Sequence, residues 1–250
     1  MVVILGCGFT GSRVARRLAE RGVECVGTHR SHFDVTKPPL RLEVPDRALV
    51  LHSIPLVGEG MRPTPVLMPL LERASRVVYL STTGVYGATQ FVDETTPVAP
   101  RTPRELLRVE EERDLASGPW KTLVLRPAAI YGPGRGVHAS LREGRLKLRG
   151  DGSNYISRIH VEDLAAIAEA ALFSDLTGAY PVADEEPCQA REIAEYCARR
   201  MGLAVPNPDG SEPRANRRVD GRAILRELGL SLRYPSYRIG LDELVLAGDR

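Results

Sequence analysis

The chain has 250 residues and carries 34 lysines and arginines against 32 aspartates and glutamates, a formal net charge of +2 at pH 7. That length allows one large α/β domain, or one domain with a small appendage. The near balance of charge argues against a nucleic-acid surface, and no apolar run is long enough to cross a membrane. The four cysteines have neither metal-binding nor disulfide-framework spacing, and no export signal is visible at the start. We therefore expect a cytoplasmic protein without a metal site, whose partner is a small-molecule substrate.

The first turn of the chain carries its most informative motif. A short apolar run, Val2–Leu5, is followed by Gly6, Gly8 and Gly11, and then by a helical pattern over residues 12–21. A Gly-x-Gly-x-x-Gly pattern between a strand and a helix is typical of dinucleotide-binding proteins. Gly6 permits the tight turn, Gly8 lets the backbone approach a diphosphate, and Gly11 lets the helix lie close to the strand. The free amides at the helix start then face the phosphate charge.

Strand and helix signals alternate along the rest of the chain, which predicts a parallel sheet with helices on its faces. The strand candidates are apolar runs without alternation, as expected for strands that are buried on both faces. The predicted strands are residues 2–5, 23–28, 48–53, 77–81, 122–126 and 179–182, and the predicted helices are residues 12–21, 66–73, 103–116, 161–173, 190–201 and 221–228. Thr102 and Glu105 form a capping-box pattern before the third helix, and Pro69 should kink or shorten the second.

The connection after the second predicted strand is unusually short. Residues 30–47 separate this strand from the next long one, and Pro38, Pro39 and Pro45 lie among them. A parallel crossover usually needs a dozen or more residues and a helix. Residues 32–35 can form a short third strand, but no room remains for a normal helix before it. We therefore predict that the crossover helix is missing or reduced to a turn.

Three further segments carry chemistry. Residues 80–87 (Leu-Ser-Thr-Thr-Gly-Val-Tyr-Gly) end a strand with a cluster of hydroxyl groups, and residues 125–134 (Leu-Arg-Pro-Ala-Ala-Ile-Tyr-Gly-Pro-Gly) end another strand in a turn. Residues 158–165 (Arg-Ile-His-Val-Glu-Asp-Leu-Ala) begin a helix. Ligands of open α/β sheets bind beyond the carboxyl ends of the strands. The first two segments should therefore converge on the pocket that the glycine-rich turn opens.

In this order and spacing, the glycine-rich turn and the three segments resemble the extended short-chain dehydrogenase/reductase family, of the NAD(P)-dependent epimerase/dehydratase type. The resemblance covers almost the whole chain. It implies a nicotinamide cofactor and an α/β fold, a Rossmann-like doubly wound parallel sheet of about seven strands with a small C-terminal substrate-binding portion. We accordingly expect an NAD(P)-binding domain over residues 1–170, to which later strands return, and the smaller portion over residues 171–250, in a monomer or a homodimer.

The catalytic centre of that family is a Ser or Thr together with a Tyr-x-x-x-Lys pair on the following helix. Thr82 stands at the Ser/Thr position, where it can hydrogen-bond a substrate oxygen. The helix at 103–116 contains neither tyrosine nor lysine, and the best alignment places Arg104 and Arg108 at their positions. An arginine stays protonated, so it can only hold an anion or stabilise developing negative charge. The alternative is that both arginines pair with Glu111 and Glu112 on a solvated face.

The chain therefore resembles an atypical branch of the family that lacks the Tyr-Lys pair. Thr83 and Gly84 stand where the dehydratases carry Asp and Glu, so the sugar 4,6-dehydratase reaction is not expected. Tyr86 is a possible substitute for the missing tyrosine, although the family's tyrosine at this position usually lines the pocket without carrying the proton. In the family, the helix start that carries Arg158 and His160 borders the substrate cleft, and an arginine there often meets phosphate or sugar groups. The alternative for His160 is a buried imidazole bonded to backbone. The candidate substrate contacts are thus Thr83, Tyr86, Arg158 and His160.

The segment after the second strand favours NADP over NAD. It offers no carboxylate for the ribose 2′-hydroxyl of NAD, whereas Thr28, Arg30 and Arg13 can form a clamp for the 2′-phosphate of NADP. The alternative for Arg30 is a surface position in an arginine-rich chain. Asp34 matches the family's position near the adenine ring, and residues 53–55 lie beside the cofactor ribose. The predicted cofactor-binding residues are Gly6, Gly8, Phe9, Thr10, Gly11, Arg30, Asp34, Ser53, Ile54, Pro55, Ser81 and Pro127.

Two functions remain open at this point. One is an NADP-dependent oxidoreductase or epimerase that acts on a small polar or nucleotide-sugar-like substrate, anionic ones included. Thr82, Arg108 and Arg104 are then the candidate catalytic residues, and the proton comes from water or from an unassigned group. The other is a catalytically silent NADP(H)-binding sensor that regulates a partner. The missing proton carrier favours this second function.

Overall fold

The computed structural model describes residues 1–213 and 215–246. In chain order its strands are β1 (Val2–Leu5), β2 (Cys25–Gly27), β3 (Ala48–His52), β4 (Ala74–Leu80), β5 (Phe91–Val92), β6 (Lys121–Pro127), β7 (Ala129–Tyr131), β8 (Tyr155–Ile156), β9 (Arg158–His160), β10 (Gly178–Val182), β11 (Cys188–Gln189) and β12 (Arg218–Val219). Its α-helices are α1 (Gly11–Glu20), α2 (Thr64–Leu71), α3 (Pro103–Ala116), α4 (Val137–Arg142), α5 (Val161–Leu172), α6 (Ala190–Met201), α7 (Arg222–Leu228) and α8 (Tyr237–Leu246), and Thr83–Tyr86 form a 3-10 helix.

The long strands form one sheet with a single direction. Within the described residues it has six parallel strands in the order β10-β6-β4-β3-β1-β2. The chain leaves β1 toward β2 and then crosses to β3 on the other side of β1. This change of direction opens a crevice beyond the carboxyl ends of β1 and β3, where ligands of such sheets bind. The remaining strands form the short pairs β11-β8, β12-β5 and β7-β9.

Both faces of the sheet are covered. Val2 and Ile4 pack with α1, α5 and α7 on one face, whereas Val3 and Leu5 pack with α2 and α3 on the other. Successive side chains of a strand point to opposite faces, so β1 needs apolar residues at every position. The arrangement confirms the prediction of an α/β protein with a Rossmann-like doubly wound parallel sheet.

The connection between β2 and β3 contains no helix, as predicted, but the short third strand expected at residues 32–35 is wrong. Residues 28–47 form turns and irregular backbone. Phe33, Val35 and Val44 are buried against the sheet face that α2 also covers. These side chains cover that face of the sheet directly, so the face is shielded from solvent without a strand or a helix in this segment. The sheet therefore has one strand fewer than the family resemblance implies.

Several element boundaries follow local sequence signals. Thr102 and Glu105 form the predicted capping box, and α3 and α6 have the predicted bounds. Helix α2 begins at Thr64, two residues earlier than predicted, and ends at Leu71, two residues after Pro69. The sequence patterns gave no prediction for α4, α8 or the 3-10 helix, because these elements are short or depend on tertiary packing for their apolar contacts.

The C-terminal part of the chain contributes to two cores. Strand β10 joins the main sheet beside β6, and α7 packs on the face of α1 and α5. Helices α4, α6 and α8 instead share a separate core that includes Tyr131, Tyr196 and Tyr237. The boundary at residue 170 stays a prediction.

No helix in the part of the chain that the structure describes is long and apolar enough to span a membrane.

Candidate functional site

The glycine-rich turn has the geometry that its three glycines predict. Gly6 has a φ of +95°, which favours glycine. A Cβ on Gly11 would lie 2.2 Å from the carbonyl oxygen of Gly6, so helix α1 approaches the turn as closely as only a glycine allows. A Cβ on Gly8 would meet nothing within 4 Å, because this residue faces the open crevice. The space beside Gly8 is thus available to a ligand.

Side chains from two neighbouring strands hold this turn in place. The Gly6 amide donates to the Thr28 hydroxyl at 3.0 Å, and the Ser53 hydroxyl donates to the Gly6 carbonyl at 2.6 Å. Among the described residues, no acceptor is found for the amides of residues 9–11, which follow the turn. The first turn of α1 also contains no acidic residue. Free amides at the positive end of a helix form an anion site of the kind that a diphosphate occupies.

A cavity of about 400 Å³ lies on the β2 side of the glycine-rich turn. Thr28, Arg30 and Asp34 line it, together with residues 53–55. Arg13 does not take part in the predicted clamp, because its guanidinium donates to Glu162 at 2.9 Å and to the Phe9 carbonyl at 2.6 Å. The Asp34 carboxylate accepts from the amide and hydroxyl of Thr36, and these hydrogen bonds lower its pKa.

A second cavity, of about 660 Å³, lies on the other side of the turn. The two cavities share Gly8, Ser53 and Pro55 as lining residues, so they form one continuous crevice across the glycine-rich turn. The predicted residues that line the larger cavity are Gly8, Phe9, Thr10, Ser53, Pro55, Ser81, Thr82, Thr83, Arg108 and Pro127. Gly6 and Ile54 line the smaller one. The structure therefore places every predicted cofactor residue except Gly11 along this crevice, and Gly11 lies beneath it.

Two hydroxyl groups of the larger cavity differ in what they offer a ligand. The Ser81 hydroxyl donates at 2.5 Å to the buried carboxylate of Glu112, so only its lone pairs remain for the cavity. The Thr82 hydroxyl accepts from the Gly84 amide at 3.1 Å and keeps its own proton free to donate. Thr82 is consequently the hydroxyl that can donate to a substrate oxygen.

Arg108 lines the same cavity from helix α3. Its guanidinium donates to the Tyr79 hydroxyl at 2.5 Å, and burial raises the pKa of this tyrosine to about 12. The alternative in which Arg104 and Arg108 pair with two glutamates of α3 is wrong. Glu111 and Glu112 are buried; Glu111 accepts from Thr64 and Arg62, and Glu112 from Ser81 and Arg126. Arg108 therefore faces the cavity without an ion pair to any carboxylate of the described residues.

Four candidate residues lie away from the cavity. Arg104 is exposed on the outer face of α3. Tyr86 is fully buried, and its hydroxyl accepts from Arg126 at 3.1 Å. Arg158 is also buried and donates to the Ile156 carbonyl. The structure therefore does not bring these side chains to a substrate.

His160 is the fourth of these candidates, and it caps helix α5. Its Nδ1 accepts from the Glu162 amide at 3.3 Å, and its ring lies between those of Tyr131 and Tyr234. Burial lowers its pKa to about 4, so the ring stays neutral. The structure agrees with the alternative in which this histidine is buried and bonded to backbone.

The structure adds residues that the motifs did not single out. Arg135 and Arg217 line the larger cavity, as does Glu105. Arg217 is buried and donates to the carbonyls of Thr83 at 2.6 Å and of Gly87, so it fixes the segment that carries the hydroxyl groups. Arg135 directly follows the Tyr-Gly-Pro-Gly turn that the sequence analysis noted. Among the described residues, no group of three or more His, Cys, Asp or Glu side chains has the arrangement of a metal site.

The fold and the crevice together define a class. The sheet is doubly wound and parallel, its first turn offers free amides, and a cavity lies on each side of that turn. This is the architecture of a Rossmann-like dinucleotide-binding protein. The residues present fit a nicotinamide dinucleotide, because the space beside Gly8 is open and the crevice continues in both directions from it.

Comparison with known proteins agrees with this class. The model of the NAD dependent epimerase/dehydratase family matches residues 63–180. A 3-diazoavenalumate denitrifying reductase from a Streptomyces species is 32% identical over 170 residues, which are 60% of this chain and 55% of the reductase. A 2-alkyl-3-oxoalkanoate reductase from Stenotrophomonas maltophilia is 26% identical over 250 residues, 81% of this chain and 76% of that protein. The chain thus spans about half of the first reductase.

A solved structure agrees over the whole chain. It is a functionally unknown conserved protein from Silicibacter pomeroyi, 31% identical, with a TM-score of 0.83, and the match covers 100% of this chain and 99% of that one. Residues 63–180 thus carry a domain of the NAD dependent epimerase/dehydratase family, and a putative NAD-dependent epimerase/dehydratase from Methylobacillus flagellatus, 25% identical with a TM-score of 0.72, matches 100% of this chain and 98% of that one. This confirms the resemblance that the four motifs carry.

Proposed function

We propose that the protein is an NADP(H)-dependent oxidoreductase of small anionic substrates. The observation that carries this proposal is the continuous crevice through Gly8. A dinucleotide whose diphosphate lies on the free amides would extend its adenine end toward Arg30. Its nicotinamide end would extend toward Thr82 and Arg108.

The residues of the larger cavity support redox chemistry without the family's tyrosine. When bound, the nicotinamide would supply or accept a hydride. Thr82 donates a hydrogen bond to the substrate oxygen, and Arg108 stabilises the negative charge that develops there. Among the lining residues that the structure describes there is no Tyr, Lys, His or Cys. The carboxylate of Glu105 accepts from the backbone amides of Arg101 and Thr102, so we assign the proton to water.

The charge of the cavity indicates an anionic substrate. Its described lining residues include three arginines, of which Arg217 already donates to backbone carbonyls. The one carboxylate among them, that of Glu105, already accepts from the backbone amides of Arg101 and Thr102. Arginine holds a carboxylate or phosphate through charge-assisted hydrogen bonds. The names of the two curated relatives also describe reductases of carboxylate-bearing compounds. A 3-oxoalkanoate is accordingly the first substrate class to test.

The preference for NADP rests on Arg30. This exposed arginine lines the smaller cavity and forms no ion pair with a described residue, so it is available to a 2′-phosphate. In Arg30→Asp, the Kd for NADPH should rise about 10-fold or more and that for NADH should fall, because the charge that meets the ribose is reversed. Isothermal titration calorimetry measures both, with the exposed Arg41→Asp on the same segment as control. An unchanged ratio of the two constants would remove Arg30 from the clamp.

Turnover separates the proposal from a binding-only function. NADPH oxidation is followed by absorbance with a panel of 3-oxoalkanoates and other small oxo acids, after coenzyme binding has been established. Turnover of at least one anionic compound, and none of its neutral esters, is the expected result. The lack of a Tyr, Lys, His or Cys among the described lining residues favours the second candidate, a silent NADP(H) sensor. Tight coenzyme binding without turnover of any compound would select it.

A further inference from the structure

We propose that Arg135 binds the diphosphate of the coenzyme across the crevice from the glycine-rich turn. This inference rests on the proposed coenzyme function and assigns a second anchor to the diphosphate. The first anchor is the set of free amides at residues 9–11. The second comes from a segment more than a hundred residues later in the chain.

Arg135 is held beside the glycine-rich turn by two features. The amide of Gly132 donates to the carbonyl of Arg135 at 2.9 Å, and the amide of Arg135 donates to the carbonyl of Gly132 at 3.0 Å, so both ends of this tight turn are bonded to each other. The Arg135 guanidinium lies over the Phe9 ring, 5.1 Å from its centroid. A cation over an aromatic face is held without losing its hydrogen-bond donors. The side chain thus has a defined position and free N–H groups.

The turn from Gly132 to Arg135 packs against the glycine-rich turn through Phe9. A Cβ on Gly132 would lie 3.3 Å from the tip of the Phe9 ring and 2.5 Å from Val161. Because Gly132 has no side chain, its turn can approach the glycine-rich turn. Arg135 then lines the same cavity as Gly8, Phe9 and Thr10, whose backbone offers the diphosphate site.

The other cations near this site are already engaged. The Arg13 guanidinium also lies over the Phe9 ring, 4.4 Å from its centroid, but it donates to Glu162 at 2.9 Å. Arg16 donates to the same carboxylate at 2.8 Å. Arg135 is exposed and forms no ion pair with any residue of the described chain. Of the two arginines over the Phe9 ring, Arg135 is therefore the one available to balance the charge of a diphosphate.

The test uses ADP-ribose, which carries the diphosphate but no nicotinamide and no 2′-phosphate, alongside NADPH and NADH. Calorimetry on the full-length protein should show that Arg135→Gln weakens all three ligands by a similar factor, roughly 10- to 100-fold for a lost charge-assisted contact. Arg135→Lys should recover part of the affinity. Arg145→Gln, an exposed arginine outside the cavity, should bind as the wild type does.

The outcomes separate the inference from its alternatives. Wild-type affinity for ADP-ribose in Arg135→Gln overturns it, and a raised KM for an oxo acid in that variant would then assign Arg135 to the substrate. A loss confined to NADPH would also overturn it, because only the 2′-phosphate distinguishes NADPH from NADH. If Arg135→Gln does not fold, the comparison is made with Arg135→Lys, whose binding must then show the same factor for all three ligands. Failure of the wild type to bind any of them would reject the proposed function itself.

Discussion

Alanine at two glycines of the first turn should separate protein stability from coenzyme binding. Gly8 faces open space, so Gly8→Ala leaves the folded protein without a clash but places a methyl group where a diphosphate would lie. Gly11 packs against Gly6, so Gly11→Ala forces the turn itself to move. The first variant should lose affinity and keep its stability, whereas the second should lose stability.

The size of each effect follows from the contacts. In Gly11→Ala the Gly6 oxygen must move by about 0.8 Å, since real Cβ contacts stay beyond 3.0 Å. That oxygen accepts from the Gly8 amide at 2.8 Å and from the Ser53 hydroxyl at 2.6 Å. Two weakened hydrogen bonds at about 1 kcal/mol each, with about 1–3 kcal/mol of overpacking and about 1 kcal/mol regained from helix propensity, leave a loss of about 2–4 kcal/mol. Gly8→Ala should stay within about 0.5 kcal/mol of the wild type.

Thermal unfolding and calorimetry measure the two quantities. A loss of about 2–4 kcal/mol lowers the Tm of a chain of this size by about 5–15 °C, so Gly11→Ala should melt well below the wild type. Gly8→Ala should melt with the wild type and bind NADPH about 10-fold or more weakly. Wild-type affinity in Gly8→Ala would refute the placement of the diphosphate at this turn. A wild-type Tm for Gly11→Ala would refute the close packing of α1.

Two further predictions concern buried and half-buried charges. Arg108→Gln should lower kcat/KM for an anionic oxo substrate about 100-fold and leave the Kd for NADPH unchanged. The control is Arg113→Gln, at an exposed position of the same helix. A kcat/KM equal to that of the wild type in Arg108→Gln would remove Arg108 from the reaction. Asp184 is buried, and burial raises its pKa to about 8 from an ordinary 3.8. The folded state then binds a proton that the unfolded state has released, so stability is lost as the pH rises from about 4 to about 8. Between pH 5.5 and 7.5 the free energy of unfolding in urea should fall by about 2–3 kcal/mol more for the wild type than for Asp184→Asn, and parallel pH curves would contradict this assignment.

Local patterns predicted most of the fold. The strands of the main sheet and the longer helices were identified because their apolar residues recur with the period of the element and because caps mark their ends. The exception was the segment around Phe33 and Val35. Its apolar residues suit a strand, but they instead contact the sheet face as part of an irregular segment. Whether this segment forms a strand or an irregular cover depends on which other elements pack on that sheet face. A short stretch of sequence does not contain this information.

The residues of the candidate site were likewise predictable in part. Residues next to the glycine-rich turn were predicted correctly as neighbours of one crevice, because turn geometry and strand ends fix their place. Side chains on helices were harder. Arg104 and Arg108 lie four residues apart and could both have pointed into the pocket, yet of these two only Arg108 lines the cavity. Tyr79, which holds Arg108, comes from a strand and has no sequence motif that connects it to the site.

The sequence by itself determined the glycine-rich turn and the absence of a tyrosine and a lysine on helix α3, since both depend only on which residues stand at given positions. Only the tertiary structure decided which arginines are free. Arg13 is neutralised by Glu162, 149 residues away, whereas Arg135 lies over the Phe9 ring and forms no ion pair with a carboxylate of the described residues. The physical reason is that the charge a long side chain offers to a ligand depends on the partners that folding brings within hydrogen-bond distance. Those partners come from distant parts of the chain.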